Sequence, residues 1–210
     1  MANTISRLLP FRQYSENEVI NLYSLDTISG EAGSLVRISS ADLNLDPVQY
    51  VTRTDAASYA NSLGHASSLY PQVPYKVTKV TGTGDFISGC IGITLRDVRS
   101  VDENGENLLF NPRKKEELQC VVSGEAVPIS AKGIFTFSQN AFVNGSTVRP
   151  AVGDWIVPAT NGLLTGVSSL ANKLAYTNFK VGTVLATGER ESTQDTDFAT
   201  GYYAMVKIDL

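Results

Sequence analysis

One histidine, His65, and two cysteines, Cys90 and Cys120, are all that this chain of 210 residues offers as imidazole or thiol ligands. A zinc site draws on three or four such donors at close spacing, so no metal cluster is expected. His65 stands in Gly-His-Ala-Ser-Ser, a loop-like setting, and no Gly-x-Ser-x-Gly elbow presents a serine nucleophile; a Ser-His-Asp triad is not expected either. Both cysteines lie in apolar, strand-like runs without cationic neighbours that would favour a thiolate. Buried free thiols are the expectation, with a disulfide as the alternative. Long apolar runs are missing too. Nowhere do about eighteen apolar residues follow one another, the length a helix needs to cross the hydrocarbon core. Pro10, Arg12, Glu16 and Glu18 interrupt the opening segment before it can read as a signal peptide. Positive charge is in deficit, with 17 basic against 21 acidic residues and a net charge of -4. Attraction to nucleic acid or to an anionic membrane is therefore not expected, and a partner should be a protein.

The remaining chemical motifs are weak. Thr81-Gly82-Thr83-Gly84-Asp85 has the glycines of a phosphate-cradling loop, but no Lys-Ser/Thr follows and no helix is read behind it, so it is read as a turn. The carboxylate pairs Asp102/Glu103, Glu116/Glu117 and Asp195/Asp197 fall in polar, turn-like stretches where their charges should simply be solvated. Arg113-Lys114-Lys115 runs directly into Glu116-Glu117, the pattern of a mixed, solvated face. Asn144-Gly145-Ser146 reads as a turn. Neither an enzymatic activity nor a cofactor is expected.

What the chain does hold is β pattern. Hydrophobic residues make up 42% of it, enough for a sizeable core. From Tyr75 onward, short candidate strands alternate with turn signals: 75–80, 85–98, 118–123, 126–132, 133–138, 154–159, 180–187 and 202–210. Weak helix is read only at 112–118 and 168–175. Gly89, Gly92 and Gly182 interrupt strand patterns where a small barrel needs bulges and bends, and Pro128 and Pro158 should mark strand ends. Upstream, 19–25 reads as one short strand forming a hairpin with Leu35–Ser39 across the turn at Gly30 and Gly33. The stretch 41–74 is polar and loop-like, with a possible short helix over 55–63. The expected class is all-β, a small β-barrel or β-sandwich with an extended N-terminal arm and a long loop insertion. The expected division is an arm and hairpin over 1–40, a loop-rich excursion over 41–74 and a barrel over 75–210. Trp155 is read as core, and of Tyr202 and Tyr203 one should be buried and one exposed.

An ordered set of phrases runs through the second half of the chain: Gly-Ile-Thr-Leu-Arg-Asp-Val at 92–98, Gly-Glu-Ala-Val-Pro-Ile at 124–129, Lys-Gly-Ile-Phe-Thr-Phe at 132–137, Gly-Asp-Trp-Ile-Val at 153–157, Asn-Gly-Leu-Leu at 161–164, Val-Gly-Thr-Val-Leu at 181–185 and Ala-Met-Val-Lys-Ile at 204–208. In that order they resemble the capsid decoration, or cement, proteins of tailed bacteriophages, which are built on a small β-barrel. The opening Leu9-Pro10-Phe11-Arg12-Gln13-Tyr14, followed by Val19-Ile20-Asn21-Leu22, is similar to the N-terminal arm of structural proteins of marine tailed phages. The resemblance implies a virion protein on the exterior of the phage head, assembled in the bacterial host cytoplasm. Its partners would be the major capsid protein and further copies of itself, as a trimer or other homo-oligomer; no catalytic residues come with it. The 41–74 segment departs from a minimal decoration barrel.

On this reading Leu8, Leu9, Pro10, Phe11, Arg12 and Tyr14 form the interface arm, since bulky apolar and aromatic groups supply most of the energy of a buried interface. Those residues either pack on their own domain or dock on a neighbour. If they dock, removing residues 1–15 should leave the barrel folded. The alternatives are another virion subunit, such as a tail-tube, head-completion or fibre-base protein, and a carbohydrate-binding β-module, suggested by nine tyrosines and one tryptophan.

Overall fold

The computed structural model describes residues 6–27, 29–40, 73, 75–87, 89–145, 149–190 and 201–210. In chain order the first strands are β1 (Leu8–Gln13), β2 (Val19–Ile20), β3 (Ser24–Leu25), β4 (Leu35–Ser40), β5 (Lys76–Lys79), β6 (Cys90–Thr94) and β7 (Asp97–Arg99). They continue with β8 (Cys120–Val122), β9 (Ile129–Ser130), β10 (Lys132–Ser138), β11 (Trp155–Pro158), β12 (Leu164–Val167), β13 (Gly182–Arg190) and β14 (Gly201–Asp209). Three short helices complete the elements used below: α1 (Thr83–Ile87), α2 (Pro112–Glu117) and α3 (Leu170–Ala175). The chain is mainly β, and its first sheet curls into a half-barrel.

That first sheet is antiparallel, in the order β1-β10-β14-β13-β11-β12. Its period of two is plainest in β14, where Tyr202, Ala204, Val206 and Ile208 are buried and Tyr203, Lys207 and Asp209 are exposed. The expected split between Tyr202 and Tyr203 is observed. Phe135 and Phe137 stand opposite Val206 and Ala204 and fill the concave side with Leu8, Ile156, Leu164 and Val184. A bulge between Val184 and Ala186 forces Leu185 out of register and to the surface, and such bulges sharpen the curl.

The second sheet runs β2-β9-β6-β4-β5-β3 and closes over that concave side. It is apolar on both faces. Leu35 and Ile93 join the core against the first sheet, whereas Val36, Val77 and Ile129 join a second core with Val98 and Val121 of the parallel pair β7-β8. A third cluster, Leu108, Cys120 and Val122, lies on the far side of β8, closed by Leu109 and by Leu118 after α2. The result is three stacked layers.

Several expectations are corrected. No hairpin joins 19–25 to 35–39: β2 pairs with β9, β3 runs parallel to β5, and β4 lies between β5 and β6. The alternation read in 35–39 is replaced at its start by burial of both Leu35 and Val36, because β4 is covered on both sides. The single strand read over 85–98 is α1, then β6, then β7; Asp85 accepts hydrogen bonds from the Thr81 backbone and hydroxyl, so a short helix does open at the Gly-Thr-Gly turn. Trp155 is half-buried, with the Lys180 ammonium 5.0 Å from its ring centroid. Residues 41–72, and with them the helix read over 55–63 and His65, lie outside the described residues, as do Asp195 and Asp197.

Two predictions follow from the layering. Gly92 has φ +155°, and a Cβ there would lie 2.4 Å from the Ser130 carbonyl oxygen on the neighbouring strand. Gly92→Ala is expected to cost about 3 kcal/mol in urea unfolding, from backbone strain and overpacking together. Because β1 is an integral strand of the first sheet, a chain lacking residues 1–13 is expected to lose its cooperative unfolding transition, which calorimetry would report.

Candidate functional site

Strand β1 divides the six candidate interface residues between two sides. Leu8, 2% exposed, faces Phe137 in the core. Arg12 is half-buried and donates to the carbonyls of Leu95 at 3.0 Å and Leu9 at 3.2 Å, and Tyr14 stacks on Phe135 with ring centroids 5.7 Å apart. Leu9 is half-buried, while Pro10 and Phe11 face solvent, Phe11 with 55% of its surface open. The register between β1 and β10 shifts in the stretch that holds them, and Pro10 has no N–H to offer a further strand. An anchored strand thus presents a proline and a phenylalanine on a sheet edge that no described strand pairs.

Beside this edge lies the convex face of the first sheet. Strand alternation puts Ile134 and Thr136 of β10 and Tyr203, Met205 and Lys207 of β14 on it, with Thr136 opposite Met205 and Ile134 opposite Lys207. The Tyr203 ring covers Gly188 on β13, where a Cβ would come within 2.4 Å of the ring, so this aromatic is held flat on the sheet. The Thr136 hydroxyl is buried there without a hydrogen-bond partner among the described residues. A second exposed apolar group comprises Val152, Leu170 and Leu174, 63%, 74% and 69% exposed. Leu170 and Leu174 are one turn apart on α3, and Lys173 fixes that helix to the 151–154 turn by donating to the Gly153 carbonyl at 3.0 Å.

Polar groups gather elsewhere, in a groove of about 690 Å³ lined by Arg7, Glu31, Lys79, Asp97, Arg99 and Asp102 among others. Arg7 is buried; it ion-pairs with Glu31 and donates to the Ser34 hydroxyl at 3.0 Å and the Asn161 carbonyl at 3.2 Å. Asp97 accepts from the Ala32 backbone at 2.7 Å and from Arg99 at 2.8 Å. Asp102, read from sequence as solvated, is buried: its Oδ1 takes the backbone N–H groups of Asn104 and Glu106, and its Oδ2 takes the Lys114 ammonium, which also binds Glu106 at 2.9 Å. The Lys114 hydrogen bond, helped by the two backbone donors, holds the Asp102 carboxyl below the usual carboxylate range, and the hydrogen bonds to Asp102 and Glu106 raise Lys114. Lys115 pairs with Glu125 at 3.1 Å, so these lysines of the basic run are bound to acids outside the adjacent Glu116-Glu117 pair. Burial pushes the Cys90 thiol up to about 12 and raises Cys120 too, which suits inert thiols rather than nucleophiles.

Phe11 was legible in the sequence as an apolar residue in search of a surface. Tyr203 and Met205 were legible through alternation but were not assigned to a site. The groove had no signal, because its residues are scattered from Arg7 to Asn161. Comparison of the chain with protein-family models, with curated proteins and with solved structures finds no match.

The Asp102 cluster generates a pH prediction. A carboxylate held low in the folded state adds stability that is complete above its unfolded pKa of about 3.9 and is lost as pH falls through the lower folded value. The melting temperature of the native chain is expected to fall more steeply between pH 5 and pH 2 than that of Asp102→Asn; parallel curves in thermal denaturation would contradict this.

Proposed function

We propose that this chain is a structural subunit of a tailed-phage head, a decoration protein that grips the outer surface of a shell of major capsid protein and associates with further copies of itself. The observation that carries the reading is the preorganised presentation of Pro10 and Phe11 on an edge strand locked by Leu8, Arg12 and Tyr14. An aromatic anchor already held in place loses little conformational freedom on docking, and such anchors dominate interface energetics. The arm expected from the sequence is, in this form, a rigid lip.

The Val152–Leu170–Leu174 group and the Tyr203–Met205 face add further apolar surface at other places on the same body. A subunit with several separate patches can touch several neighbours at once, and linked weak contacts gain avidity beyond any one of them. Such bridging is what a pressurised shell requires of a cement. The ordered phrases over 92–208 support the same reading. A carbohydrate-binding module is less well supported, since sugar stacking needs a free aromatic face and Lys180 lies over the Trp155 ring.

Purified protein mixed with expanded and unexpanded shells of the phage that carries it is expected to sediment with the expanded ones. Phe11→Ser, which removes no core contact, should weaken retention about tenfold or more while leaving the melting temperature near that of the native chain. Protein that stays in the supernatant with both kinds of shell would overturn the proposal.

A further inference from the structure

The charged groove contains one cation that is not engaged in a direct ion pair, with Glu31 the nearby acid. Of the three that line it, Arg7 is paired with Glu31 and Arg99 with Asp97, whereas the Lys79 ammonium has no hydrogen bond or ion pair among the described residues. Its position is well defined. Lys79 ends β5, half-buried, and its stem passes Gly30, with Cε 3.8 Å from where a Cβ on that glycine would stand. The groove walls are equally ordered: Gly30 and Val98 exchange both backbone hydrogen bonds, 2.9 and 2.7 Å, which joins the 29–31 segment to β7. An ammonium partly withdrawn from water without a directly bound anion is unfavourable, and an incoming oxyanion would relieve that cost. Burial and the nearby Arg7 charge both act against protonation of Lys79, opposed by Glu31.

We propose that this groove binds a carboxylate-bearing segment of a partner protein, with Lys79 as the anchor for an aspartate or glutamate side chain. The space, about 690 Å³, falls in the range of ligand-binding clefts, and its polar lining calls for a polar occupant. Glu31, Asp97 and Asp102 each pair directly with another cation, Arg7, Arg99 and Lys114, and none of them comes within ion-pair distance of Lys79. The lining carries Glu31, Asp97, Asp102 and the exposed Glu103 against Arg7, Lys79 and Arg99, a balance that repels a polyanion such as nucleic acid and leaves room for one carboxylate at Lys79 alone. A metal cation is disfavoured by Arg7 and Lys79 themselves. The inference does not depend on the chain being a virion protein.

The test uses the full chain, with backbone amide resonances of Gly30, Glu31 and Val98 as reporters. Its probes are acetyl-Gly-Glu-Gly-amide, the matching Gln peptide and inorganic phosphate. The Glu peptide is expected to produce saturable shifts, with the Gln peptide about tenfold weaker, the loss of one charge-assisted hydrogen bond. Lys79→Met, which keeps the aliphatic stem, should abolish the difference between the two peptides, and Lys79→Arg should preserve it. Phosphate that competes with the Glu peptide would support an oxyanion seat at Lys79. Equal binding of both peptides, an undiminished preference for Glu in Lys79→Met, phosphate binding without Glu-peptide binding, or no saturable shift with any probe would each overturn the proposal.

Discussion

The middle sheet has almost no face of its own to show to water, and the rest of the molecule is arranged around that constraint. Leu35 and Ile93 point one way, Val36, Val77 and Ile129 the other, and each set is buried completely. Strands as short as β3 and β9 have little stability alone and persist because both of their residues are buried between neighbouring layers. The curled first sheet supplies one cover and the β7-β8 pair the other. Polar atoms trapped between layers are satisfied locally: Thr94 accepts from the Ser34 backbone at 3.2 Å and donates to the Glu31 carbonyl at 3.1 Å, and Ser130 donates to the Lys132 carbonyl at 2.8 Å. The core is thereby sealed without an orphaned group at those positions.

Charge is concentrated where the ends of the layers converge. Arg7 lies just before β1 of the first sheet yet bonds Ser34 and Glu31 beside β4 of the second, so one buried side chain fastens two layers. Asp97 does the same between the β7 layer and the backbone of Ala32. Exposed ion pairs contribute little each, but here the partners are buried or fixed by further hydrogen bonds, which makes them locators of one layer against the next. The groove is the space left between these fasteners.

How much of this could be read from the chain follows from how local each signal is. Strand alternation in 202–210 and the apolar run of β10 were legible because the period of two is written in consecutive residues. Pairing was not: β3 meets β5 in parallel and β2 meets β9, and two-residue strands carry no register information of their own. The half-buried reading of β4 holds from Arg37 to Ser39 but not at Leu35 and Val36, both buried because a layer covers each side of the sheet there. Asp102 looked like a solvated turn acid, since nothing near it in sequence announces Lys114 as its cap. Phe11 and Pro10, exposed on β1, stand out in the sequence as apolar residues without a helical period, but that Leu8 and Tyr14 would turn inward depended on Phe135 and Phe137, far along the chain.

The pairing of β1 with β10 also sets an order in time. Leu8 waits for Phe137, so β1 cannot find its place until β10, far along the chain, has been synthesised. Until then Leu8 and Phe11 remain uncovered on a nascent chain, and closing so distant a contact is slow. A chaperone that shields β1 during translation would address that vulnerable interval.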